Sequence, residues 1–301
     1  MRQRVSVLLA VHNGAQFIVE AIQSVVDQTY RHWELIIVSN GSTDDTVAIC
    51  EERRTADARI RVVAVPERGK NAAYNVAYGR ATGDYVCFFA ADDLLPRESL
   101  EERLHALQGK PANGYATCCL KTVSADRKYD GIVLPRNVSR INYSGGSVFF
   151  SRELAQRVFP LPETQPNEDT WTALHLRAFG EAHHVAKPLY LYRIHENNSY
   201  GYGMTFERKR QEYLQRMHAY HLFHDRHRRS GLAFTERHVV PFLHGLERAK
   251  ARDVLGIVLV RGLDLGSKLL LIFYCSKVLY SLRHRFFKGL SGGLWVGRIG
   301  G

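Results

Sequence analysis

The chain has 301 residues, 45% of them hydrophobic and 24% charged, and carries a formal net charge of +11. That composition excludes a low-complexity or disordered chain, and the charge calls for an anionic partner: nucleic acid, anionic lipid or a phosphorylated substrate. The five cysteines form no CxxC pair, so neither a disulfide framework nor a zinc ribbon is expected, and reduced thiols in a cytosol fit.

The first apolar run, VSVLLAV, is too short for a signal peptide. RVSVLLAV (4–11) reads as a strand ending in the turn His12-Asn13-Gly14, and AQFIVEAIQSVVDQ (15–28) has a helical period. WELIIVSN (33–40) is a second strand, ended by Asn40-Gly41-Ser42, and TDDTVAICEERR (43–54) a helix expected to be capped by Ser42 or Thr43. IRVVAV (60–65), KNAAYNVAYGRA (70–81) and DYVCFFAA (84–91) continue as strand, helix and strand. Apolar strands alternating with helices mean a parallel sheet covered on both faces, with ligands bound beyond the carboxyl ends of the strands. The turns after the first, second and fourth strands are therefore the candidate site. They hold His12-Asn13, Ser39-Asn40 and Asp92-Asp93.

Asp92 and Asp93 are like charges at a strand tip. They could compensate a divalent cation, or one could cap a helix beginning near Pro96-Arg97-Glu98-Ser99-Leu100. Beyond them, YATCCLKTV, GSVFFS and HHVAKPLYLYRIH are β-like pieces around one helix, NEDTWTALHLRAFG (167–180), and suggest a mixed extension of the sheet. Gly145-Gly146 would let backbone approach a ligand, or form a plain turn. From Phe206 onward the chain reads as long helices, spanning 206–229, 236–263 and 264–287. Within 253–287, Arg261, Asp264 and Lys268 are expected to share one face of an amphipathic helix lying in a membrane interface, followed by a basic-aromatic cluster at Arg283-His284-Arg285-Phe286-Phe287-Lys288. Packing of that face on the catalytic region or on a second subunit is the other reading. No zinc-finger, RNP-like or helix-turn-helix pattern accompanies the basic residues, so no nucleic-acid partner is expected.

Five segments in order resemble family 2 glycosyltransferases: VSVLLAVHNGAQFIVEAIQSVVDQTYRHWELIIVSNGSTDDT, RGKNAAYNVAYGRATGDYVCFFAADD, GGSVFFSREL, NEDTWTALHLRAFG and PLYLYRIHENNS, together covering about residues 4–200. The resemblance implies an α/β, GT-A fold: a mainly parallel Rossmann-like sheet flanked by helices, a mixed-sheet acceptor region and a helical C-terminal extension. It implies a catalytic domain over 1–203, divided into a nucleotide-sugar part (1–110) and an acceptor part (111–203), followed by the extension 204–301.

The implied activity is inverting transfer of a sugar from a nucleotide-diphosphate donor to a hydroxyl of a glycan or polyprenyl-linked acceptor, in bacterial surface polysaccharide synthesis. Mg²⁺ or Mn²⁺ would neutralise the leaving pyrophosphate. The family's Asp-x-Asp-Asp motif reads Ala90-Ala91-Asp92-Asp93 here, which lacks the first acid. The resemblance implies Asp92 and His195 as metal ligands and Asp169 as general base. It implies donor contacts at Val11, His12, Asn13, Ser39, Asn40, Gly69, Asn75, Ala91, Asp93 and Arg193, and acceptor contacts at Gly145, Gly146, Glu168 and Trp171. Ser39-Asn40 and Tyr74 stand where the family commonly has Asp-Asp and Arg near the base. UDP is the favoured donor nucleotide by the resemblance, and these departures leave GDP and dTDP open. The implied location is cytoplasmic, peripheral at the inner face of the plasma membrane, and the C-terminal helices could also mediate homo-oligomers. The rival functions are a non-catalytic sugar-nucleotide or glycan-binding scaffold and a nucleotidyltransferase.

Overall fold

A computed structural model of the chain describes residues 3–195 and 205–282. The loop 196–204 and the cluster at 283–288, both singled out from sequence, lie outside the described residues. The chain divides into two compact units, Met1–His195 and Glu196–Gly301.

The first unit starts with alternating strands and helices: β1 (Val5–Val11), α1 (Ile18–Val26), β2 (Trp33–Asn40), α2 (Thr46–Ala56), β3 (Ile60–Val65), α3 (Lys70–Arg80), β4 (Tyr85–Ala90) and α4 (Ser99–His105). It continues with β5 (Gly114–Ser124), β6 (Val133–Leu134), a 3₁₀ turn (Gly145–Ser147), β7 (Val148–Ser151), α5 (Arg152–Val158), α6 (Asp169–Phe179) and β8 (Glu181–Ile194). The eight strands form one sheet in the order β3-β2-β1-β4-β7-β5-β6, with β8 pairing with β5. β3, β2, β1 and β4 run parallel. β7 is antiparallel to both β4 and β5, while β8 runs parallel to β5. The register of β5 and β8 shifts around Cys119, opposite Pro188; proline has no N–H to offer the ladder.

β2 is buried along its whole length and β1 nearly so, as apolar runs in a doubly covered sheet must be. The strand order turns back at β1, so β1 and β4 flank the crevice at the carboxyl edge where such sheets bind ligands. At the opposite edge the buried Glu34 ties strand ends together. It accepts from the Ser6 hydroxyl at 2.7 Å and the Thr82 N–H at 2.6 Å, and faces Arg4 and Arg61 at 3.5 and 3.3 Å.

The expected cap of the second helix is corrected. α2 begins at Thr46, and neither Ser42 nor Thr43 caps it. These two residues bind the neighbouring turn instead: Ser42 Oγ accepts from Asn13 N–H at 3.0 Å, and Thr43 N–H donates to Asn13 Oδ1 at 2.8 Å. Asn13 sits at φ 49°, a left-handed conformation that Asn tolerates better than most residues.

The second unit comprises α7 (Phe206–His227), a π-helical turn (Thr235–Val239), α8 (Val240–Lys250), α9 (Val254–Leu259) and α10 (Leu265–Phe273). Its core gathers Tyr213, Phe242, Leu246, Ile257, Leu271 and Tyr274, with the Tyr213 and Tyr274 rings stacked at 3.9 Å. The expected continuous helices 236–263 and 264–287 are corrected. Arg252 at φ 58° ends α8 and Gly262 at φ 76° separates α9 from α10. Asp253 and Asp264 then cap the new starts, accepting from Gly256 and Ser267 N–H at 2.7 and 2.9 Å. Arg261 and Asp264 consequently lie outside any helix and share no helical face with Lys268.

Candidate active site

The carboxyl edge of β4 delivers Asp92 and Asp93 into different surroundings. Asp93 is buried: its Oδ2 accepts from the Tyr190 hydroxyl at 2.7 Å and its Oδ1 from the Arg193 N–H at 2.8 Å. Burial first, and the Asp92 charge second, push its carboxyl up to about 8 against those two bonds. An antiparallel bridge between Leu94 and Leu191 fastens the same turn to β8. Asp93 therefore clasps β4 to β8. Neither acid caps α4, whose cap position is Glu98, so the helix-cap alternative does not hold.

Asp92 is partly open, and its Oδ2 lies 3.1 Å from His195 Nε2. The His195 ring packs on Phe17 at 4.6 Å. Arg193 lies over the same Phe17 at 4.9 Å and pairs with Glu20 at 2.6 Å, so α1 holds the end of β8. No group of three His, Cys, Asp or Glu side chains able to hold a metal exists among the described residues. Asp92 and His195 fit a hard cation that takes its remaining ligands from phosphate oxygens and water, the habit of Mg²⁺.

A second acidic pair arrives on α6. Asp169 is its first residue. Its Oδ1 accepts from the Gly145 N–H at 2.5 Å, and its Oδ2 lies 3.2 Å from Asn167 Nδ2. Glu168 is buried and pairs with Lys70 at 3.0 Å. A Cβ on Gly145 would come within 2.2 Å of Glu168 Oε1, and one on Gly146 within 2.2 Å of the Tyr190 ring. The glycines therefore permit this approach, which a plain turn would not need. Trp171, expected against an acceptor, is buried, and its Nε1–H donates to Val158 O at 2.7 Å.

The buried Tyr74 phenol is raised well above its ordinary value, by burial first and then by the charges of Glu168, Asp169, Asp92 and Asp93. Its hydroxyl donates to Phe89 O at 3.2 Å.

The turns after β1 and β2 are bound to each other. His12 Nδ1 lies 2.9 Å from Asn40 O, and the Ser39 hydroxyl donates to Ser42 Oγ at 2.8 Å. Asn40 Nδ2 donates to Val11 O at 2.6 Å while its Oδ1 accepts from Gly69 N–H at 3.1 Å. Asn75 is reciprocally bonded to Leu161, through O at 2.9 Å and N–H at 2.7 Å. Ala91 is partly open beside Asp92. Among these positions His12 and Asn13 are the more open, and Ser39 and Asn40 are buried.

Tyr190, Lys70 and Asn167 belong to the site and were not singled out from sequence. Tyr190 lies in the β8 segment that carries the resemblance, where only strand alternation marks its side. Lys70 and Asn167 have no pattern of their own, because their partners are distant in the chain.

Comparison with known proteins bears on the family and the fold. The family model described as glycosyl transferase family 2 matches residues 6–155. The chain is similar to the putative teichuronic acid biosynthesis glycosyltransferase TuaG of Bacillus subtilis, 41% identical over 33% of this chain and 40% of that protein. It is similar to the glycosyltransferase GlyG of Streptococcus pneumoniae, 31% identical over 38% of each. The chain thus spans well under two thirds of these relatives. Among solved structures, the mannosyltransferase PcManGT from Pyrobaculum calidifontis, in complex with GDP-Man and Mn²⁺, matches with TM-score 0.62 at 20% identity over 99% of this chain and 87% of that one. Staphylococcus aureus TarS 1–349 with UDP-GlcNAc matches with TM-score 0.58 at 17% identity over 97% and 93%. At such identities the likeness shows the fold, the expected α/β GT-A architecture with a helical C-terminal region.

Proposed function

On the premise that this chain belongs to glycosyl transferase family 2 through residues 6–155, we propose that it transfers a sugar, with inversion, from a nucleotide-diphosphate donor to a hydroxyl of a glycan or polyprenyl-linked acceptor. The observation that carries the reading is the short run of contacts between the two acidic pairs: the Gly145 N–H bonds Asp169, the adjoining Gly146 lies against the Tyr190 ring, and the Tyr190 hydroxyl bonds Asp93 beside Asp92. One carboxylate stands at the crevice between β1 and β4, the other at the start of α6.

Asp169 serves as the general base. The Gly145 N–H and Asn167 hold its two oxygens, which fixes the carboxylate in one orientation. It takes the proton of the acceptor hydroxyl as that oxygen attacks the anomeric carbon. Glu168, steadied by Lys70, and the Gly145-Gly146 backbone bound the space for the acceptor. Asp92 and His195 would hold a divalent ion, Mg²⁺ or Mn²⁺. When bound, that ion neutralises the charge that builds on the departing diphosphate. Asp93, Tyr190 and Arg193 N–H keep the Asp92 turn in place.

The nucleotide lies over the turns after β1 and β2, with the base against His12 and Asn13. A UDP-sugar is the favoured donor; TarS was seen with UDP-GlcNAc and PcManGT with GDP-Man, so both bases occur on this fold. The setting is surface polysaccharide synthesis, in keeping with the teichuronic acid relative, by a protein peripheral to the inner face of the plasma membrane. The test is incubation with UDP- and GDP-sugars and Mn²⁺ in the presence of acceptor. Release of nucleoside diphosphate with sugar transfer is expected. Binding with no release would make the chain a scaffold, and release of sugar 1-phosphate, its nucleotidyl group transferred, a nucleotidyltransferase.

A further inference from the structure

Seven of the nine large hydrophobic side chains that stand exposed among the described residues lie within 255–282. Leu265, Leu255, Leu259 and Val278 are 73, 69, 68 and 66% exposed. Concentration on so short a stretch is unlike the scattered apolar residues of ordinary surfaces and marks a contact site. Leu255, Val258 and Leu259 share one face of α9, and Leu265 and Leu269 one face of α10, by three- and four-residue spacing. The opposite faces put Ile257 and Leu271 in the core. Lys268 Nζ donates to Val258 O at 2.6 Å, which ties the end of α9 to α10 and joins the two faces.

Cations outnumber acids on this stretch. Asp253, just before it, and Asp264 cap the N-termini of α9 and α10, and Asp264 remains exposed. Arg261 and Lys277 stand exposed beside the leucines. A second copy of the chain would set these cations against each other, with Asp264 the one acid within 255–282 to meet them. A surface of anionic headgroups over hydrocarbon meets both features at once. Spanning is excluded for these elements: α9 has six residues and α10 nine, against roughly 20 for a crossing.

We propose that the α9–α10 face is a docking surface for an anionic lipid bilayer, with Leu255, Leu259 and Leu265 entering the interface and Arg261 and Lys277 meeting the headgroups. This names the surface behind the membrane partner of the preceding reading and does not depend on catalysis.

The test is sedimentation of the full chain with phosphatidylglycerol-containing vesicles and with pure phosphatidylcholine vesicles. Binding to the anionic vesicles, weakened by salt, is expected. Leu259→Asp/Leu265→Asp should weaken it about tenfold or more, and Arg261→Glu/Lys277→Glu should remove the preference for anionic lipid. Both leucines are exposed, so the melting temperature should stay near that of the parent; if it falls, Leu255→Ser is the replacement. No binding by the full chain, or equal binding by the variants, overturns the proposal. So does a dimer in gel filtration that the leucine variants dissociate, because the face would then be a self-interface. Vesicle sedimentation reads no turnover, so a failed sugar-transfer assay leaves the result intact.

Discussion

The main-chain N–H of Gly145 donates to Asp169 Oδ1 at 2.5 Å. This bond joins the 3₁₀ turn before β7 to the start of α6, and it explains why a glycine stands there: a Cβ would collide with Glu168 Oε1. Asp169→Asn should lower sugar transfer by about 10²- to 10⁴-fold while donor binding stays near normal. Gly145→Ala, which displaces the same carboxylate without removing it, should lower kcat more than it raises the donor KM. Initial rates across donor concentrations check both. Asp169→Asn activity within a few-fold of the parent would assign the base elsewhere.

Chelation should abolish transfer, and Mn²⁺ or Mg²⁺ should restore it. Asp92→Asn should lower turnover by roughly 10² or more, with an unchanged far-ultraviolet circular dichroism spectrum. His195→Ala should raise the metal concentration needed for half-maximal rate, since its Nε2 lies 3.1 Å from Asp92 Oδ2. Full activity in EDTA would remove the metal from the mechanism.

Asn40 stands where the family commonly has an acid, and its bonds say what that acid would do. Nδ2 donates to Val11 O at 2.6 Å. Asn40→Asp puts a carboxylate oxygen against that carbonyl and buries a charge. A loss of about 1–3 kcal/mol in stability is expected, with no gain in uridine-nucleotide affinity. Denaturant melts and calorimetric titration with UDP read the two quantities. Tighter UDP binding by the variant would show that position 40 reaches the base.

Glu34 makes stability depend on pH. Burial alone would raise its carboxyl, but the Ser6 hydroxyl, the Thr82 donors and the Arg4 charge outweigh burial and hold it below its ordinary value. A carboxylate depressed in the folded state contributes stability above its unfolded pKa and loses it as pH falls through the folded one. Stability should therefore be flat from neutrality down to about pH 4–5 and decline below. Glu34→Gln should remove most of that acid dependence and cost about 2–4 kcal/mol at neutral pH, because Arg4 and Arg61 lose their counter-charge. Unchanged acid sensitivity in the variant would place it in other carboxylates.

The Rossmann-like half was legible because its strands are apolar throughout: β2 and β3 fall at the expected residues. A doubly covered parallel sheet leaves such runs no other home. The C-terminal helices were less legible. Periodicity alone reads 236–263 and 264–287 as unbroken helices, and it does not register that Arg252 and Gly262 take positive φ or that Asp253 and Asp264 are caps. In the site, residue type pointed to Asp92 and Asp169. It did not foretell that β8 covers Asp93 and leaves Asp92 partly open, nor that Trp171 is buried.

Tyr190 fills the space beside Gly146 with its ring, while its hydroxyl reaches Asp93 and lies 3.3 Å from Ala90 N–H. One phenol is therefore a party wall between the donor side and the acceptor side. A bulkier residue at 146, selected to reshape acceptor preference, must push that ring and with it the turn carrying Asp92. The two specificities cannot drift independently: acceptor-altering changes at 146 should be tolerated only together with a smaller side chain at 190, and at some loss of hold on the diphosphate.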